Sequence, residues 1–252
     1  MGPTHKNSML IEVLVESVES ARAAVAGGAD RLEVCQNLFE GGTSPSVGLV
    51  AAIRRAVAVP INVMVRPRGG DFCYSDDEFD VMARDLRAFA DAGADGIVLG
   101  ILGPDGTVDA ERTARLVAMA RPLPVTFHRA IDMTRDVFEA LETLVGLGVD
   151  RVLTSGGEAT VLEGVETIAA MVRGAGNRIV VMPGGGIRER NVERVVRETG
   201  AREIHVSGSK SVSSRMEYRN TRVPMGRELR APEFSHNAVD AARIAAYRRL
   251  VG

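Results

Sequence analysis

Charged side chains occur inside otherwise apolar stretches of this 252-residue chain. Glu12, Glu33 and His205 each lie between two aliphatic residues, and His128 follows a Val-Thr-Phe run. Carboxyl and imidazole groups exchange protons near neutral pH when their surroundings tune their pKa. The four residues are therefore predicted to be catalytic acid–base groups. The alternatives are an ion pair inside the core between a glutamate and Arg66, and for His128 a hydrogen-bonded core histidine.

Two arginines lie where a polar segment follows an apolar run at residues 61–65. Arg66 and Arg68 are two residues apart, so their side chains should project to the same side. The guanidinium fork binds carboxylate or phosphate through two parallel hydrogen bonds. We predict that Arg66 belongs to the catalytic group and that Arg68 binds an anion.

A glycine run and a pair of serines indicate a second part of an anion site. Glycine lets the backbone approach a ligand closely, and backbone N–H groups bind phosphate. Two tight turns are the alternative interpretation of both segments. The residues predicted to bind the anion together with Arg68 are Gly184, Gly185, Gly186, Ser207 and Ser209.

The elements that must position these residues are short apolar runs alternating with amphipathic helical patterns. The predicted strands are residues 10–15, 31–35, 61–66, 96–99, 125–128, 151–154, 179–182 and 203–207. The predicted helices are residues 17–26, 46–56, 75–92, 109–120, 136–145, 162–173, 191–199 and 238–250. Most of the runs are rich in Val, Ile and Leu, which is typical of parallel strands buried on both faces.

A repeated turn sequence favours closure of these strands into a barrel. Gly28, Gly93, Gly148 and Gly200 each end a helix just before strands two, four, six and eight. Glycine supplies the left-handed residue that terminates a helix. The pattern predicts an α/β protein with a single (β/α)8 TIM-like barrel, and a doubly wound sheet is the alternative.

The domain organisation follows from the same pattern. Residues 1–8 are predicted to be a disordered or tag-like N-terminus, and residues 9–252 the barrel. Residues 207–237 contain no clear helix or strand and are predicted to be a long loop after strand eight. We expect such a loop to serve as a lid or a subunit contact.

Composition excludes several classes of partner. The formal net charge is −2 and no basic block is present, which argues against nucleic acid. No apolar run approaches the ~18 residues that span a membrane. The two cysteines and the absence of a signal-peptide pattern predict a reducing compartment. Cys35 alone is predicted either as a metal ligand or as a small buried apolar residue.

Four motifs resemble the CutC family of copper homeostasis proteins. They are RPRGGDFCYSD (66–76), PVTFHRA (124–130), RVLTSG (151–156) and MPGGG (182–186). The resemblance implies a TIM-like barrel, a cytoplasmic homodimer or higher homo-oligomer, and an association with copper(I). Cys35 matches a cysteine of the family. Many members have a second cysteine where this chain has Leu14, so the resemblance implies a weaker copper site here.

Two functions therefore stay open at this point. The first is binding or trafficking of copper(I), which the family resemblance implies. The alternative is a TIM-barrel enzyme that acts on a small anionic or phosphorylated metabolite by acid–base chemistry, which the polar residues at the strand ends indicate. The predicted partner is accordingly copper or a small-molecule anion.

Overall fold

Eight parallel strands surround a central axis in the computed structural model, which describes residues 9–219, 222 and 235–252. Within one sheet the strands follow the order β7-β6-β5-β4-β3-β2-β1-β8, and a bridge between Gly184 and His205 brings β7 beside β8. The predicted (β/α)8 TIM-like barrel is thus confirmed. The strands are β1 Leu10–Val15, β2 Arg31–Val34, β3 Ile61–Met64, β4 Gly96–Leu99, β5 Val125–Phe127, β6 Arg151–Thr154, β7 Val180–Pro183 and β8 Glu203–Val206.

Eight α-helices of the described chain pack around the strands, most of them within three residues of the predicted bounds. Ser75 caps α3 as expected, because its side chain accepts from Glu78 N–H while the Glu78 carboxylate accepts from Ser75 N–H. None of these helices is long and apolar enough to cross a membrane. The helices are α1 Val18–Ala26, α2 Val47–Ala56, α3 Asp76–Asp91, α4 Ala110–Ala120, α5 Val137–Gly146, α6 Val165–Ala175, α7 Val192–Thr199 and α8 Ala241–Val251.

The repeated glycine turns close the end of the barrel at which the strands begin. Gly28, for example, has a φ of 95°, which favours glycine. Two residues later, the Asp30 carboxylate accepts a 2.8 Å hydrogen bond from Ile11 N–H on the preceding strand. Asp95 and Asp150 make the same contact to β3 and β5. The repeat fixes neighbouring strands in register at the end opposite the loops that carry the polar motifs.

The segment predicted to be a loop contains two further strands. Among the described residues, β9 (Ser209–Ser213) pairs antiparallel with β10 (Ser235–Val239). The prediction of an unstructured loop is wrong here, because these strands are polar and lack the apolar pattern by which strands are recognised. Because β10 continues to Val239, the last helix begins at Ala241 rather than at residue 238. The predicted N-terminus (1–8) and the central part of the predicted lid (220, 221 and 223–234) lie outside the described residues.

Candidate functional site

A cavity of about 400 Å³ opens at the end of the barrel where the strands finish. Glu33 and His205 lie on its inner surface, with His128 on the wall. The loops after β7 and β8 form its rim. Because parallel strands bring their carboxyl ends to one face, this is the position at which TIM barrels place ligands.

Glu12 lies beneath the cavity in a buried charge network. Its carboxylate accepts hydrogen bonds from Arg31 Nε at 2.5 Å and from Asn62 Nδ2 at 3.1 Å, and its other oxygen lies 2.9 Å from His205 Nδ1. Burial acts to raise the pKa of Glu12, but the charge of Arg31 and the contact with His205 lower it to about 2. The ion-pair alternative therefore describes Glu12, with Arg31 as its partner instead of Arg66.

Glu33 is the carboxyl group that reaches the cavity. It is 1% exposed, and neither of its oxygens has a hydrogen-bond partner among the described residues. Burial raises its pKa to about 7, while His205 opposes this rise and the negative charge of Glu12 supports it. Such a group can take up or release a proton at physiological pH, which is what acid–base catalysis requires.

His205 connects Glu33 to the charge network. Its Nε2 lies 3.7 Å from Glu33 Oε2, while its Nδ1 contacts Glu12. Burial acts to lower its pKa, but Glu33 and Glu12 together raise it. The donor atoms of Glu12, Glu33 and His205 lie within 4.8 Å of one another. Both oxygens of Glu12 are already hydrogen-bonded, whereas the oxygens of Glu33 have no hydrogen-bond partner in the described chain, so Glu33 is the carboxyl group of the three that can contact a ligand.

His128 lies in surroundings that keep its imidazole ring neutral. Its Nδ1 accepts a 3.1 Å hydrogen bond from Ala130 N–H, so that the hydrogen of the neutral ring belongs on Nε2. Burial and the positive charge of Arg66 lower its pKa to about 3. The ring is therefore neutral, and Nε2, which has no partner within the described chain, can donate a hydrogen bond to a ligand in the cavity.

The two arginines of residues 66–76 lie outside the cavity lining. Arg66 donates from Nη1 to the carbonyls of Glu40 and Gly42, at 2.7 and 2.6 Å, and from Nη2 to that of Gly70 at 2.9 Å. Arg68 pairs with Glu78 at 2.5 Å. Arg66 thus joins the loop after β2 to the loop after β3. Neither arginine lines the cavity with Glu33, His128 and His205, but Arg66 lies near His128, because both side chains contact the Phe72 ring.

Two other arginines line the cavity instead, namely Arg129 and Arg188. Both are close in sequence to predicted site residues. Arg129 directly follows His128, and Arg188 lies two residues after Gly186. Their positions next to His128 and close to Gly186 are the sequence feature that indicates them.

Four of the five predicted glycine and serine residues line the cavity, and one does not. Gly185, Gly186, Ser207 and Ser209 line the cavity. Gly184 belongs to the barrel wall, where a Cβ would lie 2.5 Å from Leu153 Cδ1. The predicted anion-binding backbone is therefore placed at the rim, and its function in binding an anion stays a prediction.

Cys35 lies beside the cavity in a small cluster of side chains. It is fully buried with Met64 and Val98, and Leu14 and Leu38 pack against them. Burial raises the pKa of the Cys35 thiol, and the charges of Glu33 and Glu16 raise it further. The thiol is therefore protonated at neutral pH, and a metal would have to displace this proton in order to bind.

Comparison with known proteins shows similarity to the family that the four motifs indicated. A family model described as the CutC family matches residues 9–210. A human protein named copper homeostasis protein cutC homolog is 50% identical over 238 residues, which cover 94% of this chain and 87% of that protein. A family protein CutC from Mesorhizobium japonicum is 46% identical over 237 residues, covering 94% of this chain and 92% of that protein.

Solved structures show the same similarity. The crystal structure of a copper homeostasis protein CutC from Streptococcus agalactiae superimposes with a TM-score of 0.75 and 33% sequence identity. The match covers 78% of this chain and 97% of that chain.

Proposed function

Because this chain belongs to the CutC family, we propose that it takes part in copper homeostasis and binds Cu(I) through Cys35 and Met64. The observation that supports this site is that both sulfur atoms lie close to the same side of Gly42. A Cβ at Gly42 would lie 3.5 Å from Cys35 Sγ and 3.2 Å from Met64 Sδ. Thiolate and thioether sulfur are the ligands that Cu(I) prefers.

The proposed affinity is weak at neutral pH. The raised pKa of the Cys35 thiol means that Cu(I) competes with a proton for the sulfur. Leu14, which packs against Cys35 and Met64, offers no donor atom in the place where a second thiol would complete the site. Affinity should therefore increase with pH, and it should increase when Leu14 is replaced by cysteine.

Competition with a coloured Cu(I) chelator tests this proposal under anaerobic conditions. We expect Cys35→Ser to lower Cu(I) affinity by at least about 10-fold, as the loss of a soft ligand implies. The matched control is Cys73→Ser, which removes the exposed second cysteine and should leave the affinity unchanged. Leu14→Cys should raise affinity in a manner that depends on Cys35. Tight binding that survives Cys35→Ser would contradict the proposal.

A second candidate function is proton transfer on a small anionic metabolite. Its support is the pair formed by Glu33 and His205 at the inner end of the cavity, where the Glu33 carboxyl has a pKa of about 7 and no hydrogen-bond partner in the described part of the chain. A carboxylate in this setting can remove a proton from a carbon next to a carbonyl group.

Exchange of carbon-bound hydrogen for deuterium in D2O tests the second candidate directly. Phosphorylated aldehydes and ketones are incubated with the protein and followed by proton NMR. We expect exchange with the unmodified protein and a loss of about 100-fold or more in Glu33→Gln, as is typical when an acid–base group is removed. If none of the compounds exchanges, this second function is excluded for that substrate class.

The cytoplasmic location and the homo-oligomeric assembly stay predictions from the family resemblance. Size-exclusion chromatography with light scattering measures the assembly, and a monomer across the micromolar range would contradict it.

A further inference from the structure

Arg129 is held in a fixed position at the rim of the cavity. Its Nε donates to Asp132 Oδ2 at 2.8 Å, and its Nη2 donates to Ser155 Oγ at 2.5 Å and to the carbonyl of Glu158 at 3.3 Å. Asp132 is itself fixed by the hydroxyl of Thr154 at 2.6 Å. The remaining nitrogen, Nη1, donates to no acceptor within the described residues. Two N–H donors of a positioned guanidinium are thus left for a ligand.

Gly185 makes this position of the guanidinium attainable. A Cβ at Gly185 would lie 3.3 Å from both Cζ and Nη1 of Arg129, and the φ of Gly185 is 102°. Any side chain here would press on the arginine and strain the backbone. The glycine therefore lets Arg129 Nη1 and the exposed backbone of Gly186 share one side of the cavity.

Arg188 adds a second positive charge to the same rim. It is exposed, and its guanidinium makes only a 3.5 Å contact with the carbonyl of Ile187 within the described chain. No carboxylate among the described residues lies within ion-pair distance of its guanidinium. The charge of Arg188 is therefore available to a ligand.

Deeper in the cavity, two polar groups lack partners. His128 is 4% exposed and Glu33 is 1% exposed, and His128 Nε2 and both Glu33 oxygens have no hydrogen-bond partner in the described part of the chain. Leaving such atoms unpaired is costly, so they indicate a ligand that completes their hydrogen bonds. The rim offers positive charge, and the interior offers one donor and one carboxyl group.

We propose that the cavity binds a small phosphorylated metabolite, with its phosphate group between Arg129, Arg188 and the backbone of Gly185 and Gly186. The rest of the molecule extends to His128 and Glu33. A volume of about 400 Å³ suits a molecule of this size. The proposal names the substrate class of the second candidate function and rests on it for the chemistry, but the phosphate site itself is independent of copper binding.

Titration calorimetry with inorganic phosphate at constant ionic strength tests the phosphate site. Arg188→Gln should weaken phosphate binding by about 10-fold, as expected for the loss of one charge-assisted contact. The matched control is Arg190→Gln, which removes an exposed arginine from the same loop but not from the cavity lining. Gly185→Ala should weaken binding by displacing Arg129, and its circular dichroism spectrum verifies the fold.

The outcomes separate this site from the other proposals. Cys35→Ser should retain phosphate affinity, because Cys35 does not line the cavity. Equal losses in Arg188→Gln and Arg190→Gln would mean only diffuse attraction and would overturn the proposal. The absence of phosphate binding by the unmodified protein would overturn it as well, while the Cu(I) competition would still decide the first function.

Discussion

Replacing Glu33 with glutamine should change how the stability of this protein depends on pH. The carboxyl group is buried, and its pKa is raised from the usual 4.5 to about 7, chiefly by burial. Between these two pH values the folded protein holds a proton that the unfolded chain has released. The unfolding free energy of the unmodified protein therefore falls as pH rises through this range, whereas glutamine, which does not ionise, removes this contribution.

The magnitude follows from the difference between the two pKa values. At about 1.4 kcal/mol for each pKa unit, a pKa raised from 4.5 to about 7 corresponds to about 3 kcal/mol of unfolding free energy. Glu33 also helps to raise the pKa of His205, although burial of the ring opposes this. That effect needs the ionised carboxylate, so it adds nothing at low pH, where Glu33 holds its proton. The amide of glutamine also lacks a partner, which costs about 1–3 kcal/mol at every pH.

The prediction therefore concerns how the unfolding free energy changes with pH, and not its value at a single pH. Urea unfolding of both proteins at several values from about pH 4.5 to about pH 8.5 should show a difference that shifts by about 3 kcal/mol in favour of Glu33→Gln. Glu193→Gln makes the same chemical change on an exposed position of α7 and controls for the loss of one negative charge. A difference that stays constant with pH, or that moves toward the unmodified protein at high pH, would refute the reasoning.

Four further substitutions test the assignments in the barrel by urea unfolding. Arg66→Ala should cost about 3 kcal/mol, because it removes a buried donor from three backbone carbonyls. Arg68 also donates to backbone carbonyls, but it lies nearer the solvent, where water can replace it, so Arg68→Ala should cost less than about 1 kcal/mol. Equal losses would contradict this difference. Arg31→Met should cost about 3–5 kcal/mol by leaving Glu12 buried and uncompensated, and a neutral result would contradict the charge network. Ser75→Ala should cost about 1 kcal/mol through loss of the capping box, and no change in the midpoint would contradict that role.

The amino-acid sequence by itself determined the barrel, because the signals for it are local. Glycine at Gly28 and Gly93 ends a helix through its own backbone freedom, and Ser75 begins one through its own side chain. Alternation of apolar runs with amphipathic helices then leaves few topologies. The motifs around Arg66 and His128 likewise indicated the family without any coordinates. The polar strands β9 and β10 were missed because serine and lysine carry no local strand signal.

Only the tertiary structure decided which polar residues share a site. The period of a strand indicates which face a side chain occupies, but it does not give its height along the barrel axis. Strand pairing aligns Glu12 with Arg31 and His205, and aligns Leu14 with Glu33, so that Glu12 lies one layer deeper than the cavity. Hydrogen bonds to carbonyls of a loop distant in sequence likewise hold Arg66 outside the cavity lining. These contacts depend on the stagger of the strands and on loop packing, which are set by the closed barrel as a whole.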